Sequence, residues 1–201
     1  MGEVTNARDP LLVVLTGPSG AGKDSLLARL KAQDPSSYVV ANVTARPPRA
    51  GEQEGVDYHF VSKAEFERLR RDGELLEHAV VYGQDKGVPR GPIREALASG
   101  RDVLLRTDIQ GARTIKRLVP GTTTIFVSPP SEAELRRRVR ERGADTQEQV
   151  QVREEAATQE MAAAPQFDYH VINDDLEECA NEIQQIMSEE RSRPDRAEII
   201  V

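Results

Sequence analysis

Tryptophan is absent from this 201-residue chain, aromatics make up only 4% of it and cysteine occurs once. With so few flat rings there is no platform on which single-stranded nucleic acid could stack. One thiol excludes an internal disulfide, and Cys179 falls in the series Leu176, Cys179, Ile183, Ile186, a helical face on which it reads as packing. Three scattered histidines and that one cysteine do not make a zinc site. No apolar run is long enough to span a bilayer and no basic-then-apolar leader is visible, so a soluble cytoplasmic protein with no membrane partner is expected. The formal net charge of −7 argues against wrapping a nucleic-acid backbone, although a local arginine cluster can still hold a small anion. Internal repeats and low-complexity tracts are also missing.

Against these absences, one stretch stands out: Leu11 to Leu30, LLVVLTGPSGAGKDSLLARL. Its first five residues are a continuous apolar run of the kind buried in a parallel sheet, and from Ser25 the spacing of Leu26, Leu27 and Leu30 becomes helical. Between them lie Gly17, Pro18, Ser19, Gly20, Ala21, Gly22 and Lys23. A strand, a glycine-rich turn and a helix N-terminus gather backbone N–H groups around a volume that suits phosphate, and Lys23 adds a mobile charge for the outer phosphates. This spacing predicts binding of a nucleoside triphosphate. Asp24 stands where the pattern normally has a Mg²⁺-binding Ser or Thr, with Ser25 one residue late; Asp24 either complements the helix dipole or, with Ser25, meets the metal.

A chain of this length can bury a sizeable core, and one compact unit with a small subdomain or lid is expected. The N-terminal residues 1–10 are polar and read as frayed. Tyr38–Ala41 reads as a second strand, Asn42–Glu52 as an irregular basic segment, and Tyr58–Phe60 as extended. A helix follows the Ser62-x-x-Glu65 capping box, then Leu75–Tyr82 is extended and Gly83–Pro92 a loop. Ile93–Ser99 reads as helix, Asp102–Thr107 as strand, the segment through Ile115 and Leu118 as helix, and Thr122–Ser128 as strand. Ser131-x-x-Glu134 opens a helix to Gly143 with Leu135 and Val139 inward and Arg138 and Arg142 together on an adjacent face. Gln147–Ala164, containing Arg153, reads as helix, Tyr169–Ile172 as the last strand, and Asp175 to about Met187 as the closing helix. Residues 188–201 read as a loose charged tail. Strands alternating with helices argue for an α/β fold with a doubly wound parallel sheet.

Phosphoryl transfer between two anions needs a cradle for the donor phosphates, a metal, cations between donor and acceptor, and a clamp on the acceptor. The cradle is Gly17–Lys23, and Arg46, Arg49, Arg138, Arg142 and Arg153 are the candidate cations, arginine being suited to hold two phosphate oxygens at once. The 42–90 stretch, inserted after the second core strand, has the size of a pocket for a second molecule.

Over roughly residues 11–187 the chain resembles guanylate kinase. The resemblance is carried by GPSGAGK at 17–23, TARPPRAGE at 44–52, GVDYHFV at 55–61, Glu74–Glu77, Asp108-Ile109-Gln110-Gly111, Pro129-Pro130-Ser131 and Asn173-Asp174-Asp175. It implies a phosphate-loop core (11–41, 91–130, 156–187), a monophosphate-binding subdomain over 42–90 and a lid over 131–155. MgATP would donate its γ-phosphoryl group to GMP or dGMP, in a monomer or homodimer. By position, Arg46, Arg49 and Tyr58 would bind the acceptor phosphate, Glu77 would accept from guanine N1–H and the 2-amino group, and Asp108 would be the second carboxylate there. Arg138, Arg142 and Arg153 match arginines that bridge the transferring phosphates, and Asn173 a residue near the adenine of ATP.

Departures from the family pattern cluster around the same site. Asn42 replaces a serine that reaches guanine O6 and would donate through its amide; Lys86 replaces a phosphate-binding tyrosine; Val88 replaces another pocket serine. Arg106 occupies the position of an aspartate near the metal, so Asp24 is expected to face it and restore the local charge. Two other identities fit parts of the chain. The run Gly22 to Leu26 also resembles the kinase of ribose 1,5-bisphosphate, and guanylate-kinase-like domains occur as non-catalytic binding modules.

Overall fold

A computed structural model of the chain describes residues 9–81, 83–141 and 160–201. The central strand β1 (Leu12–Thr16) is wholly buried and leads through the glycine-rich turn into α1 (Lys23–Gln33). Then come β2 (Tyr38–Val39), β3 (Asn42–Thr44), β4 (Tyr58–Phe60), α2 (Lys63–Arg71), β5 (Leu75–Val81), β6 (Gln84–Pro89) and α3 (Arg90–Ala98). The rest is β7 (Val103–Arg106), α4 (Ile109–Leu118), β8 (Thr123–Ser128), α5 (Glu132–Glu141), β9 (Tyr169–Ile172) and α6 (Leu176–Ser192), with a 3-10 turn at Ala164–Gln166.

Five strands form an all-parallel sheet in the order β2-β7-β1-β8-β9. Successive side chains of a strand point to opposite faces, and β1 shows the consequence. Leu11, Val13 and Leu15 pack with the α1 leucines and with Cys179, Ile183 and Met187 of α6, whereas Leu12 and Val14 pack with Ile93 of α3 and Ala112 and Ile115 of α4. Helices therefore cover both faces, and the carboxyl ends of β1, β7 and β8 open on one side, where ligands of doubly wound sheets bind. A second sheet, β4-β3-β6-β5, is built entirely from residues 42–89.

Several expectations are corrected. The second core strand is two residues long, and Asn42–Thr44, read as the start of an irregular segment, is instead β3. Gly83–Pro92 is not a loop: Gly83, with φ 72°, precedes β6, which pairs with β5 on one side and β3 on the other. The polar run Gln84–Lys86 concealed a strand because its side chains are half-buried rather than in the core, Lys86 lining a cleft. α3 begins at Arg90, Pro92 being tolerated in a first turn whose N–H groups need no intrahelical partner.

The closing helix runs five residues beyond Met187, and the tail is docked. Arg191 pairs with buried Asp102, Arg196 donates to Pro10 O, and Ile199 and Val201 pack against the core. Of the expected frayed start at 1–10, residues 1–8 lie outside the described residues, while Asp9 O and Pro10 O accept from Arg191 and Arg196; most of the expected Gln147–Ala164 helix also lies outside them, and Ala164 itself belongs to the 3-10 turn.

Candidate active site

The turn from β1 to α1 is held by contacts that leave no room for side chains. A Cβ on Gly17 would lie 2.1 Å from Val127 O, and one on Gly22 would lie 2.2 Å from Asn173 Nδ2; Gly17, Gly20 and Gly22 all have φ between 88° and 126°. Such positions favour glycine, which has no Cβ to clash. Asn173 Nδ2 donates to Ala21 O at 2.8 Å, fastening the loop to the end of β9. Lys23 lies across the turn, its Nζ donating to Gly17 O at 2.6 Å and Pro18 O at 2.9 Å. Backbone N–H groups, a helix N-terminus and an ammonium thus surround one volume, the arrangement that binds phosphate.

Opposite the loop, the same cleft is lined by Asn42, Tyr58, Glu77, Lys86, Val88 and Asp108. Glu77 is only 6% exposed, and burial together with the nearby Asp108 carboxylate pushes it up to about 7. Asp108 caps α4, its Oδ1 accepting from Gln110 N at 2.8 Å and Gly111 N at 3.0 Å. Gly111 is what lets α4 approach: a Cβ there would come within 2.2 Å of Thr107 Oγ1 and 3.0 Å of Glu77 Oε2.

Arg46 forms a fork with Glu52, Nη1–Oε2 at 2.6 Å and Nη2–Oε1 at 2.5 Å, and lies over the Tyr58 ring at 5.1 Å. The hydrogen bonds that Arg46 donates to Glu52 push its guanidinium above the ordinary arginine range. Glu52, pushed up by burial, is nonetheless held below the usual carboxylate range by Arg46 and by the Arg49 N–H at 2.7 Å. Glu52 was quoted in the sequence only as part of a motif; its orienting role depends on a turn that no periodicity reveals.

Arg106 and Asp24 face each other as their charges lead one to expect, Nε–Oδ1 at 2.5 Å, and Arg106 Nη2 also donates to Asp57 O at 2.9 Å. At the entrance, Ser131 Oγ accepts from Glu134 N, and α5 lays Leu135 and Val139 within reach of Gly20. Arg138 donates to Glu134 Oε1 at 2.6 Å and to Asn173 O at 3.0 Å. Arg142 and Arg153 lie outside the described residues. Lys23, Asp24, Asn42, Tyr58, Glu77, Lys86 and Asp108 therefore share the cleft, while Ser25, Arg46, Arg49, Arg138 and Asn173 stand outside its lining. Glu160 and Thr107, which sequence reasoning did not single out, are in it.

Among the described residues no group of three or more His, Cys, Asp or Glu could hold a metal by itself. Mg²⁺ beside nucleotide phosphates takes only one or two protein oxygens, and Asp24 in the cleft with the exposed hydroxyl residue Ser25 next to it supplies that kind of donor. The donor set thus fits a magnesium ion that enters with a triphosphate.

A sequence model described as Guanylate kinase matches residues 9–190. The guanylate kinase of Synechococcus sp. (strain JA-3-3Ab) is 45% identical over 176 residues, 88% of this chain and 81% of its own length. That of Carboxydothermus hydrogenoformans is 39% identical over 186 residues, 92% of this chain and 91% of the relative. The crystal structure of guanylate kinase from Anaplasma phagocytophilum matches with a TM-score of 0.77 at 34% identity, covering 94% of this chain and 90% of that one. No helix among the described residues is long and apolar enough to cross a membrane. With almost the whole chain inside these matches, the protein belongs to the guanylate kinase family and is a nucleotide kinase on a phosphate-loop α/β core.

Proposed function

We propose that the chain transfers the γ-phosphoryl group of MgATP to GMP, giving ADP and GDP, with the triphosphate on the Gly17–Lys23 loop and the acceptor held by residues of the 42–90 subdomain. The observation that carries this reading is the single cleft with a phosphate cradle at one end and, at the other, the buried Glu77 carboxyl beside the half-buried Asp108 carboxylate. A carboxylate matches guanine, whose N1–H and 2-amino group both donate. A ribose bisphosphate presents hydroxyls but no coplanar pair of N–H donors on a flat ring, so guanine is the better match to this carboxyl group.

Lys23 neutralises charge on the outer phosphates, and Arg46 and Arg49 with Tyr58 hold the acceptor phosphate. Arg138, anchored between Glu134 and Asn173, stands beside the donor loop to stabilise charge spreading over the transferred group. Asp24 and Ser25 would hold Mg²⁺, which neutralises β- and γ-phosphate charge when bound. An acceptor phosphate oxygen attacks the γ-phosphorus as the bond to the β–γ bridging oxygen breaks. No general base is needed, because that oxygen is already anionic.

The test is chromatographic: purified protein with ATP and magnesium is supplied with GMP or CMP. GDP and ADP should appear in equal amounts with GMP, and ADP should not accumulate with CMP. Failure to form GDP refutes the reading.

A further inference from the structure

Asn42 is 6% exposed and only half of its amide is satisfied. Nδ2 donates to Arg106 O at 2.7 Å, whereas Oδ1 is buried with no hydrogen-bond partner, and the residue lines the cleft that also contains Glu77. Chemistry fixes this orientation, because turning the amide over would set its oxygen against a carbonyl oxygen, two acceptors face to face. The atom left over is therefore an acceptor, which is stabilised only by a ligand that brings an N–H or O–H.

Register shows which part of a ligand that is. Val43 pairs with Gly87 and Thr44 with Lys86, so continuing the antiparallel ladder by one residue sets Asn42 opposite Val88, which itself pairs with Glu77. Residues opposite one another across neighbouring strands share a face, and strands about 4.8 Å apart put Asn42 and Glu77 roughly 10 Å apart with Val88 between. One purine can meet both along its hydrogen-bonding edge. With Glu77 at N1 and C2, Asn42 meets the substituent on C6. Guanine has a carbonyl oxygen there, acceptor against acceptor; a 6-aminopurine has an amino group that donates.

We propose that this site, read as the acceptor-nucleotide site above, also takes 6-aminopurine nucleoside monophosphates, with Asn42 Oδ1 accepting the 6-amino N–H. The 2,6-diaminopurine nucleotide fits best, because its 2-amino group retains the donation to Glu77. Its N1 is an acceptor where guanine carries a proton, and Glu77, raised to about 7 by burial and Asp108, supplies a carboxylate for one and a carboxyl for the other near neutral pH. The charged groups sharing its cleft are Asp108, Lys86, Arg106, Lys23, Asp24 and Glu160. The transfer step is unchanged: an acceptor phosphate oxygen bonds to the γ-phosphorus, the β–γ bridging bond breaks, and ADP leaves with the electron pair.

The experiment follows formation of labelled nucleoside diphosphate from MgATP and labelled GMP, AMP or 2,6-diaminopurine ribonucleoside monophosphate, by the wild type and Asn42→Ser. In the wild type, kcat/KM for the diaminopurine substrate should come within about tenfold of that for GMP; in Asn42→Ser, whose hydroxyl can donate to O6, the ratio should move about tenfold or more toward GMP. A wild-type preference for GMP larger than that overturns the inference and leaves the guanylate reading standing. An unchanged ratio in Asn42→Ser overturns the role of Asn42. Failure of every purine, GMP included, overturns the underlying reading instead. Should the variant not fold, the wild-type ratio decides.

Discussion

Arg106 Nε lies 2.5 Å from Asp24 Oδ1, joining the end of β7 to the first turn of the helix behind the phosphate loop. The same guanidinium donates to Asp57 O and lies 5.1 Å from the Tyr58 ring centroid, so one side chain touches the loop helix, the core sheet and the 42–90 subdomain. A cation next to a magnesium-nucleotide site is repulsive unless neutralised, and Asp24 neutralises it. Arg106→Asp would leave two carboxylates facing each other and should lower kcat/KM about a hundredfold, an effect of the size seen when one preorganised charge is lost from an active site. Asp24→Ser combined with Arg106→Asp should recover most of that loss. Equal steady-state activity in wild type, single and double variants would show that the pair has no part in the reaction.

Gly111 lets α4 approach β5. Because a Cβ there would clash with Thr107 Oγ1 at 2.2 Å and crowd Glu77 Oε2 at 3.0 Å, Gly111→Ala should shift the carboxyl group proposed to read the base. The expected result is a KM for GMP raised on the order of tenfold or more, since small misplacements of a positioning group are costly, with the KM for ATP unchanged. Equal rises in both constants would point to a general loss of structure.

The fork between Arg46 and Glu52 holds the guanidinium over Tyr58 before any acceptor arrives. Glu52→Gln keeps the size but weakens the fork, so Arg46 must be ordered at the expense of binding energy. GMP affinity should fall by about a factor of ten, the scale of one charge-assisted hydrogen bond. Titration calorimetry with GMP in the absence of ATP checks this, and an unchanged affinity would mean that Glu52 does not orient Arg46.

Local signals made half of this molecule legible. The phosphate loop is contiguous, and the Ser62 and Ser131 caps are four-residue patterns, so Glu65 N and Glu134 N find their hydroxyls as expected. β6 was illegible because Gln84, Asp85 and Lys86 are polar and half-buried, Lys86 lining the cleft, and a strand with polar side chains on both faces shows no apolar alternation. The docked tail was illegible because Arg191 and Asp102 are 89 residues apart and each looks like an ordinary surface charge. The sequence could place Asn42 near the acceptor, but the direction of its amide depends on the Arg106 carbonyl, a contact across 64 residues.

That Arg191 to Asp102 pair carries its own consequence. Asp102 is 5% exposed and also accepts from Leu11 N, so removing the arginine leaves a buried carboxylate short of its counter-ion. Arg191→Ala should cost roughly 2–3 kcal/mol, less than a fully buried pair because Arg191 is partly exposed. Urea denaturation measures it; a change within a few tenths of a kcal/mol would place Arg191 among ordinary surface ion pairs.

Glu77 sets binding against folding. Its carboxyl is raised from 4.5 to about 7, first by burial and then by Asp108, so the folded chain holds that proton more tightly than the unfolded chain does. Below pH 4.5 both states are protonated and the residue is neutral in its effect. As pH rises from there toward 7, the unfolded chain ionises while the native carboxyl keeps its proton, and stability falls by on the order of 3 kcal/mol before levelling off once the native group ionises too. Glu77→Gln removes that ionisation. The variant should therefore match the wild type in denaturation near pH 4, exceed it by a margin that grows up to about pH 8, and yet bind GMP poorly, since the amide replaces one acceptor oxygen with a donor. A stability difference that stays constant across this range would mean that Glu77 does not titrate there.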